Sequence, residues 1–477
     1  MKKLFLINSG WRLIGEFFYF FTQFIVSAIL ARILSKEDFG IVASVLILTT
    51  FLCLLNDAGL KNLVVQRLDD NLLEFRKISG SSIIIGTIIS ALMIALSPLL
   101  AILMKTEKLI LPCIVTSVCF IFDSFSAVQS GILEKRFLHK NVAIYRTLSS
   151  IVSSIVGILL AINGIGYWSI ICMIILRSAI FAVLIVASTK VFVPIISISY
   201  TKSLLAFTST MISHNLFVYV FSDIDKIVMG RFYQLETLGL YNRSYTLFSV
   251  YMRLITSPIH VLYSVFYKCR DDAKMIIDIY YKYLYIIAIT TVPLMTSIAI
   301  WSKEITLFIW GKGWDDASIY LSIICFASFP VIITSFSRIL AISFRREKLL
   351  VAFSGIYAFL ATLLCFLGTI FGSPETIIGY VISNWLAAIV LSVYIEFFLL
   401  KGIRFTTLRI FVKVFAISTS TAVLSIALKH TTDCFDINYI LSLTLSHIAI
   451  LLFMGCYIFV FDKSLIKEAI KLINHKK

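Results

Sequence analysis

Apolar runs long enough to cross a bilayer recur along the whole chain. The first six are Leu13–Leu30, Phe39–Asn56, Ile78–Met104, Ile110–Ser130, Val142–Ile162 and Ile165–Ala187. Six more are Leu204–Met229, Leu240–Tyr263, Tyr283–Trp301, Ala317–Ile342, Leu349–Phe371 and Ile377–Leu400. Two others follow, Ile410–Leu428 and Ile440–Phe461. These runs are apolar on all sides, whereas a transmembrane β-barrel alternates apolar and polar positions over segments of about ten residues. A spanning segment must satisfy its own backbone hydrogen bonds, so each run is expected to be a helix. The pattern predicts an all-α polytopic membrane protein with about 14 transmembrane helices.

Composition strengthens this reading. The chain is 60% hydrophobic and 14% charged, where soluble domains carry about 25% charged residues. Its mean hydropathy is +0.98. The Met-Lys-Lys start resembles a signal peptide, but Arg12 and Glu16 interrupt the apolar stretch, so it reads as an uncleaved first span.

A net charge of +16 would suggest nucleic acid in a soluble chain. Here its placement gives topology instead. With the N-terminus inside, 30 of the 42 Lys and Arg residues lie in inside loops or the span ends next to them and 10 likewise on the outside, leaving Arg177 and Arg253 near the middles of spans. Such a bias predicts cytoplasmic N- and C-termini, and no nucleic-acid partner is expected. The nine cysteines include no CxxC and the six histidines no HExxH, so neither a metal nor a cofactor is expected.

One stretch repeats. Ala31–Val42 aligns with Gly230–Tyr241 without a gap at a shift of 199 residues, placing Arg32 on Arg231, Glu37 on Glu236 and Gly40 on Gly239. Six spans lie between the copies, so the two halves share one orientation, the arrangement of transporters built from parallel repeats with the substrate site between them. The expected division is an N-terminal lobe over 1–200 (spans 1–6), a C-terminal lobe over 201–403 (spans 7–12), and two additional spans with a cytoplasmic tail over 404–477.

Polar residues inside the spans are the candidate chemistry. Arg12, Glu16, Tyr19, Gln23 and Ser27 recur every three or four residues, on one face of span one. Span seven carries Thr208, Asn215, Tyr219, Ser222 and Lys226 on one face, and the 199-residue shift puts Glu16 on Asn215, Gln23 on Ser222 and Ser27 on Lys226. Charges near mid-bilayer normally face a bundle interior or a wet cavity, although polar side chains also join helices directly. Arg177 and Arg253 sit near the middles of spans six and eight. Each suits either a diphosphate, through the planar guanidinium fork, or a buried ion pair, for Arg177 with Asp123. Asp225 suits either a pair with Lys226 or a coupling cation, and Glu16 is a second candidate for ion coupling.

Residues 23–67 resemble the N-terminal signature of Wzx-type polysaccharide exporters, the oligosaccharide flippases of the multidrug/oligosaccharidyl-lipid/polysaccharide exporter superfamily. The residues that carry it are Leu30-Ala-Arg-Ile-Leu-Ser-Lys-Glu-Asp-Phe-Gly40, Asp57-Ala-Gly-Leu60 and Val65-Gln-Arg67. Asn163-Gly-Ile-Gly-Tyr-Trp168 is similar to the family's Gly-x-Gly-x-Trp turn, and Asp225-Lys-Ile-Val-Met-Gly-Arg231 with Leu238-Gly-Leu-Tyr241 to its mid-chain signature. The chain departs from the family at Phe266-Tyr267, where Phe-Pro is usual.

The resemblance implies two six-helix lobes around a central cavity, plus two peripheral helices. It implies transport of an undecaprenyl-diphosphate-linked oligosaccharide, an O-antigen or capsule repeat unit of lipopolysaccharide or polysaccharide biosynthesis, from the cytoplasmic to the outer leaflet of a bacterial inner membrane. The partners it implies are membrane lipid, a polysaccharide polymerase and a chain-length regulator. Two alternatives are weighed against it. A cation-coupled drug antiporter of the same superfamily would favour an acidic, aromatic cavity over one with Arg and Lys. A membrane polysaccharide polymerase or ligase would carry its basic catalytic residues on a large outside loop, and no outside loop exceeds roughly fifteen residues by these boundaries.

Overall fold

The computed structural model describes residues 2–56, 64, 72–136, 138–189, 194–202, 223–256, 266, 273–344, 347–399, 406–434 and 439–461. Every one of the fourteen apolar runs coincides, in whole or in part, with a described helix. The helices are α1 Lys2–Ala31, α2 Lys36–Asn56, α3 Leu72–Leu103, α4 Ile110–Thr116, α5 Cys119–Lys135, α6 His139–Ile162, α7 Trp168–Thr189, α8 Ile224–Phe232 and α9 Leu235–Thr256. They continue with α10 Ala273–Ile300, α11 Ser302–Trp310, α12 Ala317–Cys325, α13 Ser328–Ser343, α14 Glu347–Gly368, α15 Ser373–Tyr394, α16 Thr406–Cys434 and α17 Tyr439–Phe461. Among the described residues, eight helical stretches, with Glu107–Lys135 taken as one, are long and apolar enough to cross a membrane, or nine if α12 and α13, bent by 48°, form one span.

Two runs differ from the uninterrupted helices expected. Ile110–Ser130 breaks after Thr116 and resumes at Cys119, and Ala317–Ile342 breaks after Cys325 and resumes at Ser328. These are the fourth and tenth runs, six apart. The helix before each pair also contains a proline, Pro98 in α3 and Pro293 in α10. Proline removes one ladder hydrogen bond and crowds the preceding turn; among the described residues the 48° bend lies at the break after Cys325. Neither break has a glycine or proline at its centre, so hydropathy alone does not reveal it.

The contacts divide the chain into two compact units, Met1–Asn242 and Arg243–Lys477. In the first, α1 packs on α6, α6 on α7, and α3 and α7 on α5. Serine and glycine make these close approaches possible: Ser149, Ser150, Ser153 and Ser154 are all buried along α6. Small residues let membrane helices approach closely without a water-driven hydrophobic effect. In the second unit, α14 packs on α15, α10 on α13 and α16, and α16 on α17.

The first unit extends past the expected lobe boundary near 200 because α8 and the start of α9 pack on α2. A Cβ added to Gly40 would overlap the carbonyl oxygen of Leu235, and one added to Gly239 would overlap that of Lys36. Under the 199-residue shift, Lys36 becomes Leu235 and Gly40 becomes Gly239. The two contacts are therefore one contact made twice, each copy offering its glycine to the other's backbone, which marks a local two-fold axis.

Candidate functional site

The apolar sides of α1 face outward, with Phe18, Phe21, Ile25 and Ile29 exposed, while Val26 and Leu30 are buried. Tyr19, Gln23 and Ser27 lie between these extremes, half-buried. Tyr19 and Gln23 reach neighbouring helices. Tyr19 Oη accepts a hydrogen bond from the Arg177 guanidinium on α7 at 3.1 Å. Gln23 Nε2 donates to Ser150 Oγ on α6 at 2.8 Å. Gln23 therefore joins helices through its amide. The serine run on α6 was the partner missed in the sequence, and its signal was the pair of Ser-Ser steps four residues apart. Arg12 and Glu16 lie on α1, but their side chains fall outside the described residues.

Arg177 is half-buried in the middle of α7. Among the described residues it forms no ion pair within 4 Å, and its hydrogen bond goes to Tyr19. Asp123 on α5, its expected ionic partner, feels the Arg177 charge but lies beyond ion-pair distance. The ion-pair reading of Arg177 thus gives way to a tyrosine-held guanidinium, which leaves most of its five N–H donors unused by described residues. Arg253 lies on α9 in the second unit and is exposed.

Lys226 takes Asp223, three residues before it, as its ionic partner. The two side chains are 15% and 10% exposed. Asp225 is wholly buried; one of its oxygens accepts the hydroxyl of buried Tyr241, and the other has no hydrogen-bond partner among the described residues. This corrects the expected pairing of Asp225 with Lys226. On a helix, Asp225 and Lys226 are about 100° apart, whereas positions three apart share a face. Asn215 and Ser222 lie outside the described residues, as do Thr208, His214 and Tyr219.

Those signature motifs that fall on described residues meet where α1 gives way to α2. Ser35 and Asp38 form a capping box at the start of α2: Ser35 N and Oγ donate to Asp38 Oδ2 at 3.0 and 2.7 Å, and Asp38 N donates to Ser35 Oγ at 3.1 Å. The second oxygen of Asp38 accepts from Tyr167 N at 2.9 Å, in the turn between α6 and α7. Gly166, at φ +64°, supplies the left-handed turn that presents this N–H, and its Cβ position lies 3.1 Å from Asp38 Oδ1. The neighbouring acid and base tie other loops: Glu37 accepts from Lys108 at 2.7 Å, and Lys36 pairs with Glu236 at 3.1 Å. Arg231 donates to the carbonyls of Ile102 and Leu103, at 3.4 and 3.2 Å, covering the exposed C-terminal end of α3.

Asp38→Ala is expected to free the Tyr167 turn and the α2 cap together, at about 1–2 kcal/mol for the cap alone. A fall in thermal stability of the detergent-solubilised protein that Asp38→Asn partly restores is the expected signature.

Residues 29–319 match the polysaccharide biosynthesis protein family. The succinoglycan biosynthesis transport protein ExoT of Rhizobium meliloti (strain 1021) is 22% identical over 316 residues, 65% of this chain and 63% of that one. The lipopolysaccharide biosynthesis protein WzxC of Escherichia coli (strain K12) is 22% identical over 307 residues, 62% of this chain and 61% of that one. The match thus spans less than two thirds of each relative's length. Among solved structures, the lipid II flippase MurJ in an inward closed conformation superimposes with a TM-score of 0.74 at 14% identity, over 95% of this chain and 99% of that one, so the two share a fold. With its matched region covering more than half its length, the chain belongs to the polysaccharide biosynthesis protein family.

Proposed function

We propose that this protein is a flippase that carries an undecaprenyl-diphosphate-linked oligosaccharide from the cytoplasmic to the outer leaflet by alternating access. The observation that carries this reading is Arg177, a half-exposed guanidinium in the middle of a membrane helix, held by one tyrosine hydroxyl. A guanidinium at that depth is costly to insert and normally marks a substrate path. Its planar fork fits the oxygens of a diphosphate, while the glycan needs a polar route and the polyprenyl tail can stay in lipid. The names of ExoT and WzxC, a transport protein and a lipopolysaccharide biosynthesis protein, agree with this chemistry. The other site residues proposed are Arg12, Glu16, Tyr19, Gln23, Asn215, Ser222, Lys226 and Arg253, with Asp225 or Glu16 carrying a coupling ion.

Deletion is expected to leave completed lipid-linked repeat units in the inner leaflet, with polymer lost and unit synthesis retained. The measurement is the accessibility of the lipid-linked glycan to a lectin added outside spheroplasts. Purified protein that joined sugars without moving them would replace this reading with a polymerase or ligase. Efflux of organic cations with no effect on lipid-linked glycan would replace it with an antiporter.

The proposed topology has its own test. Reporter fusions after Lys140, Lys274 and Lys348 are expected to report cytoplasm, and fusions near Gly164, Trp314 and Asp433 the outside. An outside signal at Lys274 would break the alternation on which the parallel halves depend.

A further inference from the structure

We infer that the groove between α15 and α16 holds a membrane phospholipid with an amine-bearing headgroup, its amine on the Glu396 carboxylate and an acyl chain along the apolar walls. The inference goes beyond the flippase reading and does not rest on it.

The groove exists because two neighbouring helices are held by different partners. α15 packs on α13 and α16 on α10, and α15 and α16 do not pack closely on each other. Two cavities of about 480 and 380 Å³ lie along the gap. Both are lined by Phe329, Trp385 and Phe411, whose rings pack with centroids 5.5–5.7 Å apart, so they form one groove on either side of an aromatic ridge. Ile389 and Val393 of α15 and Leu408 of α16, which line it, are more than half exposed, so its apolar walls are open from the side. Ligand sites of this kind are apolar, with a few polar groups that fix orientation. Glu396 is the one charged side chain that lines the groove among the described residues.

Glu396 is buried, and it sits in a π-helical segment, Ile395–Leu399, that follows α15. Such segments are rare and often mark functional sites. Its Oε1 accepts from Tyr281 Oη at 2.9 Å, from Thr407 N at 2.9 Å and from Thr407 Oγ1 at 2.6 Å. These bonds cap the start of α16 and fix the carboxylate. Its Oε2 takes no hydrogen bond from a described residue, which leaves half of the carboxylate for a ligand. A carboxylate within a span is costly unless it meets a cation. The charge therefore selects the occupant: an ammonium headgroup is attracted, whereas an anionic lipid or a diphosphate is repelled. Arg409 and Lys413 are exposed on α16 but line neither part of the groove, and Lys413 lies 5.3 Å over the Tyr285 ring.

The test is lipid retention by the purified full-length protein, read by native mass spectrometry. The protein is mixed with equal amounts of phosphatidylethanolamine and phosphatidylglycerol carrying the same acyl chains. Phosphatidylethanolamine is expected to be retained over phosphatidylglycerol by roughly tenfold, the order of one charge-assisted hydrogen bond. Glu396→Gln keeps an acceptor for Tyr281 and Thr407 and is expected to remove the preference. Ile389→Trp fills the groove from an exposed position and is expected to lower retention of both lipids. N-acetylated phosphatidylethanolamine, which has no ammonium, is expected to bind the unaltered protein no better than phosphatidylglycerol.

Equal retention of the two lipids by the unaltered protein overturns the inference, as does a preference that survives Glu396→Gln. If Glu396→Gln does not accumulate, the acetylated lipid decides, and its retention at the level of phosphatidylethanolamine overturns the inference as well. Retention that Ile389→Trp leaves unchanged puts the lipid elsewhere and has the same force. Loss of the flippase reading shows separately, in the lectin assay, and leaves these ratios untouched.

Discussion

Arg177→Lys is expected to abolish most export while the protein accumulates normally in the membrane. Lysine keeps the charge, so a purely electrostatic role would survive. It loses the planar fork that binds two phosphate oxygens at once and the N–H that reaches Tyr19 Oη at 3.1 Å. A hydrogen bond to a charged group is worth about 1.5–3 kcal/mol, so losing one productive donor pair lowers export roughly 10- to 100-fold. Arg177→Ala is expected to lose as much, with insertion eased because a membrane charge has gone. Tyr19→Phe removes only the tether and is expected to lie between Arg177→Lys and the unaltered protein. The measurement is outer-leaflet glycan per unit of folded protein. Full export by Arg177→Lys would remove Arg177 from the substrate path.

Lys226→Ala is expected to be the most destabilising single change near the start of α8. It removes the ionic partner of Asp223, whose side chain is only 10% exposed. Breaking a buried pair by deleting one member costs about 3–5 kcal/mol, because the remaining charge stays desolvated. The buried carboxylate of Asp225 two residues on makes the uncompensated charge worse. Lys226→Ala combined with Asp223→Ala removes both charges and is expected to recover much of the loss. Thermal unfolding in detergent checks the order: the lysine variant lowest, the double variant intermediate. A double variant as unstable as the sum of its parts would show that the two side chains do not act as a pair.

The helices were legible because the bilayer leaves the chain few alternatives: an apolar run of spanning length must close its own hydrogen bonds, and hydropathy marks its limits. The polar stripe on α1 was legible for the same reason, since its spacing places Tyr19, Gln23 and Ser27 on one face. What the stripe touches was less legible. Gln23 ends on Ser150, more than a hundred residues away, and no periodicity within one helix encodes a partner on another. Lys226 shows the limit at shorter range. Two acids flank it within three residues, and helix geometry, rather than sequence proximity, selects Asp223. The breaks after Thr116 and Cys325 were not legible, because neither Ser117-Val118 nor Phe326-Ala327 contains the glycine or proline that would mark them.

The reciprocal contact of Gly40 and Gly239 also bears on how a doubled chain drifts apart. Two copies of a segment are free to diverge wherever each meets different neighbours, and over most of their length these copies have done so beyond recognition. At the axis each copy is the other's neighbour. A larger residue in either one intrudes on the same backbone geometry, so both copies face the same prohibition. The dozen residues in which the internal likeness is still readable are those that surround this point, and the surviving resemblance is the imprint of a place where the two segments must still accommodate each other.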